Sequence, residues 1–554
     1  MIHGVRGVVV RFDGVLIDSC HAAYAAWQHE FVREGLHLPI DYWGDLFDRH
    51  PGPGCDEQLL RLLRQRVADP DQIRDDHLDR VHRRRRRIES ALRLRPGVVA
   101  WLREASDRGV RMFTVSDQAA GSLTRELDRL GVGRFFERVL SFGAGGAEEF
   151  YRDAPRQADI DRSELVAMED TGHGVRAARA AGLRCIASPQ RASVHALPSA
   201  EPGTVIAEPP WMSLSDALGA LAGSRRAVPR PAAGTDTGAR VSASLGALAL
   251  GDALGKMVNK RSLHQLEPDT VNALSLLETG GEPPADCVFT GCVTDDTVLL
   301  LALVDSVVDD GRVSRDAYER VLRSLNPRGG RQIYQLKSDA SDLFVALDGN
   351  TNGCVPRCAA VAYTTPSTNL GDLCYDALKV ATLTHGGHEA LFTALLFAVI
   401  AAAAVDGEPV QSVRERLPGL YRPLTRLAGG GADVADLVQG SLDRLDRIDS
   451  PHVYLDVLEG AVGMAMAARS SVVSAICLGL SGFSFPVTLA ALMRRQAHWD
   501  LDSTAAVYAG LAGAFQPSEV PALWVGRIER HSGRDFGKLA ASLVEMRRAP
   551  VVPA

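Results

Sequence analysis

With 554 residues, the chain is too long for one hydrophobic core, so at least two domains are expected. Its 46% hydrophobic and 23% charged residues are those of an ordinary globular protein, and a net charge of -7 gives no whole-chain reason to expect nucleic acid as a partner. Nine cysteines scattered singly exclude a disulfide framework, and the odd count predicts reduced thiols in a cytoplasmic protein.

In chain order, "MIHGVRGVVV" lacks the basic region, long apolar run and small-residue cleavage site of an export signal. Five β-type runs follow, "GVVVRF", "VRMFTVS", "RVLSF", "LVAME" and "LRCIA", with helical patterns such as "GVVAWLREASDRG" and "GVRAARAAG" between them. This alternation predicts an α/β domain over residues 1–221 with a doubly wound parallel sheet. Residues 19 to about 93 interrupt it with an almost wholly helical insert, expected to cap the sheet's carboxyl edge. The run from Arg83 to Arg87 in this insert reads as a solvated helix face.

Residues 222–239 are rich in Ala, Gly, Pro and Arg and read as a linker. From 240 to 554 the pattern is helical almost throughout, which predicts a second, all-α domain. Its most apolar stretch, "ALLFAVIAAAAV" at 394–405, is too short to span a bilayer. It reads as a buried helix, and no membrane partner is expected.

The first strand ends in "VVVRFDGVLIDS", where the residue leaving the strand is Arg11. This stretch resembles the first motif of the haloacid dehalogenase-like superfamily, an apolar strand followed by Asp-x-Asp-Gly. "FTVSDQ" is similar to its second motif, with Ser116. "VAMEDTGHGVRAARAAG" looks like the acidic fourth motif of the phosphoglucomutase-like subgroup, with Glu169 and Asp170. The resemblance implies that the first Asp attacks phosphorus and the second shuttles a proton. Those positions are Arg11 and Asp13 here.

An arginine cannot be the nucleophile, because its guanidinium stays protonated and has no available lone pair. It also puts a cation where the family's Mg²⁺ sits. The third motif's lysine has no counterpart, since the first lysine of the chain is Lys256. The expectation is a pseudo-phosphatase domain with a structural, oligomerising or ligand-gripping role. Arg11 then pairs with Asp13, Glu169 and Asp170, or holds a phosphate in place of metal.

Two motifs of the second domain are hard to explain as packing. "VTDDTVLLL" supplies Thr294, Asp295, Asp296 and Thr297 just before an apolar helix, and "HWDLDSTAAVYAG" supplies Asp500, Asp502, Ser503 and Thr504. Each alone has a capping explanation, because hydroxyls and acids satisfy a helix start. Together they form a set of hard oxygen donors that suits Mg²⁺ or Mn²⁺, and the lack of nearby His or Cys ligands argues against zinc. Four aspartates brought together would repel strongly without a cation.

The order "SLGALALGDALGKMV", "TDDT", "NGCVPR", "LTHGGHEAL" and "DLDSTAAVYAGLAGAF", over residues 240 to about 530, resembles the ADP-ribosylglycohydrolase family. The resemblance implies an all-α hydrolase with two Mg²⁺ (or Mn²⁺) ions that cleaves ADP-ribose from an acceptor. It implies metal ligation by Thr294, Asp295 and Asp296 from one side and Asp500, Asp502 and Ser503 from the other, with Asp295, Asp296 and Asp502 catalytic. Substrate contacts are implied for Asp252, Asn259, Asn352, Gly353, Arg357 and His385. Two metals about 3.5–4 Å apart hold ribose hydroxyls and polarise a water, so no strong protein nucleophile is needed. The carboxylates then stabilise oxocarbenium character at the anomeric carbon.

One departure stands out: Asn259 occupies a position where many members carry Glu, and an amide cannot act as a base. Cys354 and Cys358 read as small buried residues. The expected activity is metal-dependent hydrolysis of a glycosidic bond in an ADP-ribosylated protein or a small ADP-ribosyl or ribosyl molecule. The alternatives are a nucleotide-binding pseudoenzyme and a glycohydrolase of specialised metabolism. The acceptor stays open among arginine, serine, an acetyl ester, a nucleic-acid phosphate and a small molecule.

Overall fold

In the computed structural model, Val8, Val9 and Val10 form the centre of the first strand and are buried, as a strand covered on both faces requires. The structure describes residues 3–36, 38, 40–50, 53–67, 76–116, 120–141, 146–190, 204–207, 212–221, 237–258, 266–283, 289–314, 317–318, 320–321, 349–495 and 499–548. The chain divides between residues 228 and 229 into two compact units.

The first unit holds a sheet of six parallel strands: β1 (Gly7–Arg11), β2 (Arg111–Ser116), β3 (Arg138–Ser141), β4 (Leu165–Glu169), β5 (Arg184–Ala187) and β6 (Thr204–Ile206). Their order is β3-β2-β1-β4-β5-β6, the doubly wound pattern in which the chain leaves the central strand in both directions. The short β6 is absent from the sequence reading, because three residues give no usable periodicity. The register sets Arg11 beside Val115 and Val10 beside Met168, so Arg11, Ser116 and Glu169 end adjacent strands on one edge.

After β1 come four helices, α1 (Ser19–Arg33), α2 (Ile40–Arg49), α3 (Pro53–Arg66) and α4 (Asp76–Glu89), which correspond to the expected insert. They have their own core around Trp27, Phe31, Trp43, Leu59 and Leu63. The other helices of this unit are α5 (Val98–Asp107), α6 (Ala120–Arg129), α7 (Gly146–Ala158), α8 (Gly172–Ala180) and α9 (Leu214–Leu221). Buried Asp48 of α2 accepts the backbone N–H of His173 at the start of α8 and pairs with Arg176 at 2.6 Å, which ties the insert to the sheet layer.

The second unit is helical, and among its described residues there is no strand, only an isolated bridge between Thr351 and Ala467. Its helices are α10 (Thr237–Val258), α11 (Pro268–Glu278), α12 (Asp295–Asp310), α13 (Ala359–Thr364), α14 (Leu370–Ala381), α15 (His388–Val405) and α16 (Val410–Ala428). They continue with α17 (Ala432–Leu445), α18 (Pro451–Ala461), α19 (Ala468–Gly479), α20 (Phe485–Met493), α21 (Leu501–Phe515), α22 (Ala522–Ser532) and α23 (Phe536–Arg548). The first of them begins at Thr237, inside the span read as linker.

The apolar run at 394–405 belongs to the longer α15, whose 18 residues make it, like α10, long and apolar enough to cross a membrane by length and composition. In the fold, 89% of that window in α15 and 78% in α10 is buried by neighbouring helices. Each Leu or Phe fully buried in α15 contributes about 1.5–3 kcal/mol.

Helices α10 and α21 approach closely, because a Cβ on Gly255 would lie 2.3 Å from the Asp502 Cα and one on Gly251 2.3 Å from the Ala505 carbonyl oxygen. Only glycine leaves room for that contact. It places the "GDALG" segment directly against the "DLDST" segment.

Candidate active site

In the second unit, α10 contributes Asp252, which is fully buried. Its carboxylate accepts the backbone N–H of Thr294 at 2.9 Å, the N–H of Thr297 at 3.2 Å and the Thr297 hydroxyl at 2.5 Å. Asp252 therefore serves as the anchor that orients the start of α12, where the dipole also favours an acid. Thr294 is the N-cap of α12 and accepts the Asp296 N–H at 3.3 Å. Thr297 was visible as the last letter of "TDDT", but nothing in the sequence told that it would bond Asp252.

The second acid motif reaches the same place from α21. Ser503 hydrogen-bonds Asp296, and Asp502 acts on Asp252, Asp295, Asp296 and Asp500 as a like charge. Burial first, then neighbouring carboxylates, raise Asp296 well above the usual carboxylate range. Asp295 and Asp500 are raised too, each first by burial and with Asp502 adding to it. Asp252, Asp296 and Ser503 are buried, whereas Thr294, Asp295, Asp500 and Asp502 are partly exposed, so the cluster has one solvent-facing side.

Asn352, expected at the substrate, is instead buried behind Asp500. Its amide donates to Asp500 Oδ2 at 2.5 Å and to Ser471 Oγ at 2.9 Å, while its backbone N–H donates to the Met466 carbonyl at 3.2 Å. Ser471 carried no sequence signal. Gly353 is buried in the turn that follows.

Arg357, expected at the substrate's phosphates, is fully buried in a 3-10 turn and donates to Thr384 Oγ1. Its charge lowers Asp295, so in this fold it is a buried countercharge behind the acids rather than a group presented at the surface. His385, expected beside the cleft, is 2% exposed and bridges Thr351 Oγ1 and Thr384 Oγ1 at 2.8 Å each. Burial and then Arg357 lower its pKa to about 3, so it is a neutral, positioning imidazole. Asn259 lies outside the described residues. Cys354 and Cys358 are both buried, and burial pushes the Cys354 thiol up to about 12.

The donors of this cluster fit a hard divalent cation: all are oxygens, and the carboxylates raise one another while Arg357 is a cation that acts on Asp295 from behind. Among the described residues no three His, Cys, Asp or Glu side chains are already drawn together as a ligand group. The fit is thus one of donor chemistry, with Thr294 and Ser503 hydroxyls among the donors, and not of a preformed carboxylate cage.

Residues 233–551, more than half of the chain, match the family model described as ADP-ribosylglycohydrolase. The chain belongs to the ADP-ribosylglycohydrolase family. Members of this family act on ADP-ribosylated substrates and are generally dependent on divalent metal. A solved ADP-ribosylglycohydrolase-related protein complex is 23% identical, covering 56% of this chain and 99% of that one with a TM-score of 0.40.

Residues 8–188 match a second model, haloacid dehalogenase-like hydrolase. Over 199 residues the chain is 26% identical to Protein CbbY of Cereibacter sphaeroides, covering 33% of this chain and 84% of that protein. It is 21% identical over 189 residues to beta-phosphoglucomutase of Bacillus subtilis, covering 32% of this chain and 81% of that enzyme.

In that first unit the expected acids do converge. Asp13 accepts the Ser116 hydroxyl, Glu169 the Tyr151 hydroxyl and Asp170 the Cys20 thiol at 3.1 Å. Gly14, at φ +83°, is required here, because a Cβ would lie 1.7 Å from Asp170 Oδ2. Buried Arg95 donates to the Gly14 carbonyl at 2.7 Å and the Ser188 carbonyl at 2.9 Å, which holds the turn after β1.

A cavity of about 560 Å³ opens above the turn, lined by Arg11, Asp13, Cys20 and Asp170 below and by Phe47, Arg85 and Arg86 of the helical insert. The Arg83–Arg87 run is therefore not only a solvated face: Arg85 is half-buried, pairs with Glu89 at 2.7 Å and feels the charge of Asp13.

Proposed function

We propose that the second unit hydrolyses the bond between the anomeric ribose carbon and the acceptor in an ADP-ribosylated substrate. The observation that carries this reading is the meeting of two acid motifs some two hundred residues apart, both held against α10: Asp502 packs on Gly255, and Asp252 bonds Thr294 and Thr297. Thr294, Asp295 and Asp296 would hold divalent metal from α12, and Asp500, Asp502 and Ser503 from α21. Bound there, Mg²⁺ or Mn²⁺, two ions in this reading, supplies a polarised water and a grip on the ribose hydroxyls.

The chain's own residues do the rest. Asp252 holds the α12 terminus in register. Asn352 fixes the Asp500 carboxylate. The partly exposed Asp295 and Asp502 present negative charge toward a developing oxocarbenium ion. Arg357 limits the mutual repulsion from behind.

The first unit, in this proposal, is a pseudo-phosphatase, because Arg11 ends β1 where an attacking carboxylate is needed. A panel of ADP-ribosyl-arginine, ADP-ribosyl-serine and acetyl-ester substrates with Mg²⁺ or Mn²⁺ tests the reading through release of ADP-ribose. Turnover of one of them that is lost on chelation supports it. Tight ADP-ribose binding without turnover of any would instead favour a nucleotide-binding pseudoenzyme, the reading motivated by Asn259.

A further inference from the structure

The two metal-dependent families that meet in this chain imply two metal sites, and the residues of the first unit do not fit one. Arg11 leaves β1 beside the carboxyl ends of β2 and β4. Its charge acts directly on Asp170 and on Tyr151, the partner of Glu169. A guanidinium in this position already supplies positive charge to the cluster. A divalent ion next to it would gain repulsion and lose the carboxylate that Arg11 replaces.

The acids are also committed to protein donors. Asp13 accepts from Ser116, Glu169 from Tyr151 and Asp170 from Cys20, and the last of these comes from the helical insert. On the insert side the cavity is lined by two further cations, Arg85 and Arg86, of which Arg85 is paired with Glu89.

We infer that the first unit has exchanged its divalent ion for the fixed guanidinium of Arg11, so that any metal this chain holds is held by the second unit. The inference rests on reading the first unit as one that lacks the attacking carboxylate, but it does not depend on the activity of the second. It also gives Arg11 a role other than loss of function: together with buried Arg95 it is a countercharge for Asp170, which is buried beside Glu169.

The test counts Mn²⁺ bound per full-length chain by electron paramagnetic resonance. Asp13→Asn and Asp170→Asn in the native Arg11 background are expected to leave the count unchanged, whatever it is. Arg11→Asp is expected to gain one ion, and Arg11→Asp with Asp170→Asn to lose it again. Loss of an ion in either single Asn variant would overturn the inference. So would a folded Arg11→Asp chain that gains none. If Arg11→Asp does not fold, the two Asn variants still decide. Failure of the glycohydrolase reading would appear separately, as a wild-type count of zero or as absent turnover, and would leave this result standing.

Discussion

Asn352 donates its side-chain amide to Asp500 at 2.5 Å, although 148 residues separate them in the chain. The same amide bonds Ser471, so its orientation is set by α19 before it meets the carboxylate. An amide held this way orients an acid without changing its charge, which is what the proposed role of Asp500 as a metal ligand requires.

Asn352→Ala should therefore weaken divalent-metal activation by about 10- to 100-fold, the usual effect of removing a partner of a ligating group. Turnover measured across a Mn²⁺ titration checks this. A loss of maximal rate with an unchanged Mn²⁺ midpoint would argue that Asn352 serves the substrate and not the metal.

Asp296→Asn should abolish turnover and yet stabilise the chelated protein. Burial and the charges of Asp252, Asp295 and Asp502 all disfavour the ionised Asp296, and an amide of the same shape removes that strain. A gain on the order of 1 kcal/mol corresponds to about 2 °C in the melting temperature of a unit this size. Melting curves in chelator, run beside the activity assay, give both readouts. A lower melting temperature would mean that Asp296 is a structural acid.

Gly255→Ala should destabilise the second unit by about 1–3 kcal/mol and lower activity, because its Cβ would lie 2.3 Å from the Asp502 Cα. Gly440→Ala is the control: it lies within α17 and a Cβ there meets nothing within 4 Å. That change should stabilise by up to about 1 kcal/mol through helix propensity alone. Denaturant unfolding of the two variants distinguishes crowding from propensity.

His385 makes a pH-dependent contribution with a definite sign. Its folded pKa is lowered from 6.5 to about 3, so the unfolded chain binds more protons between those values. The stability it confers is present above about pH 6.5 and is lost as pH falls toward 3, at up to about 1.4 kcal/mol per unit. The raised aspartates act oppositely, losing stability as pH rises above the usual carboxylate range. The difference between wild type and His385→Gln in chelator isolates the histidine, and a flat difference would show that His385 is not buried neutral.

Much of this architecture was legible in the one-dimensional pattern. Five of the six strands are legible as β-type runs, and an almost wholly helical insert follows from their interruption. Arg11 and the absence of lysine before Lys256 are facts of composition on which the pseudo-phosphatase proposal for the first unit rests. The two acid motifs also stood out, because paired carboxylates with hydroxyls at a helix start are a local feature of hydrogen bonding and charge.

What the pattern did not contain was which of these groups face solvent and which stand behind them. The resemblance makes Arg357 and His385 substrate groups, and the fold buries both, because the turn carrying Arg357 packs against α12 and the "TH" element bonds that turn through Thr384. Asp252 is an anchor for α12 because the fold brings α10 against the Thr294–Thr297 turn, while Gly251 and Gly255 on the same helix let it press against α21. Arg85 turned from a surface charge into a cavity wall by the docking of the insert. The sequence by itself determined which chemical groups were available and which were missing. Only the tertiary structure decided their burial and their charge partners, since these depend on contacts between segments hundreds of residues apart that no local period encodes.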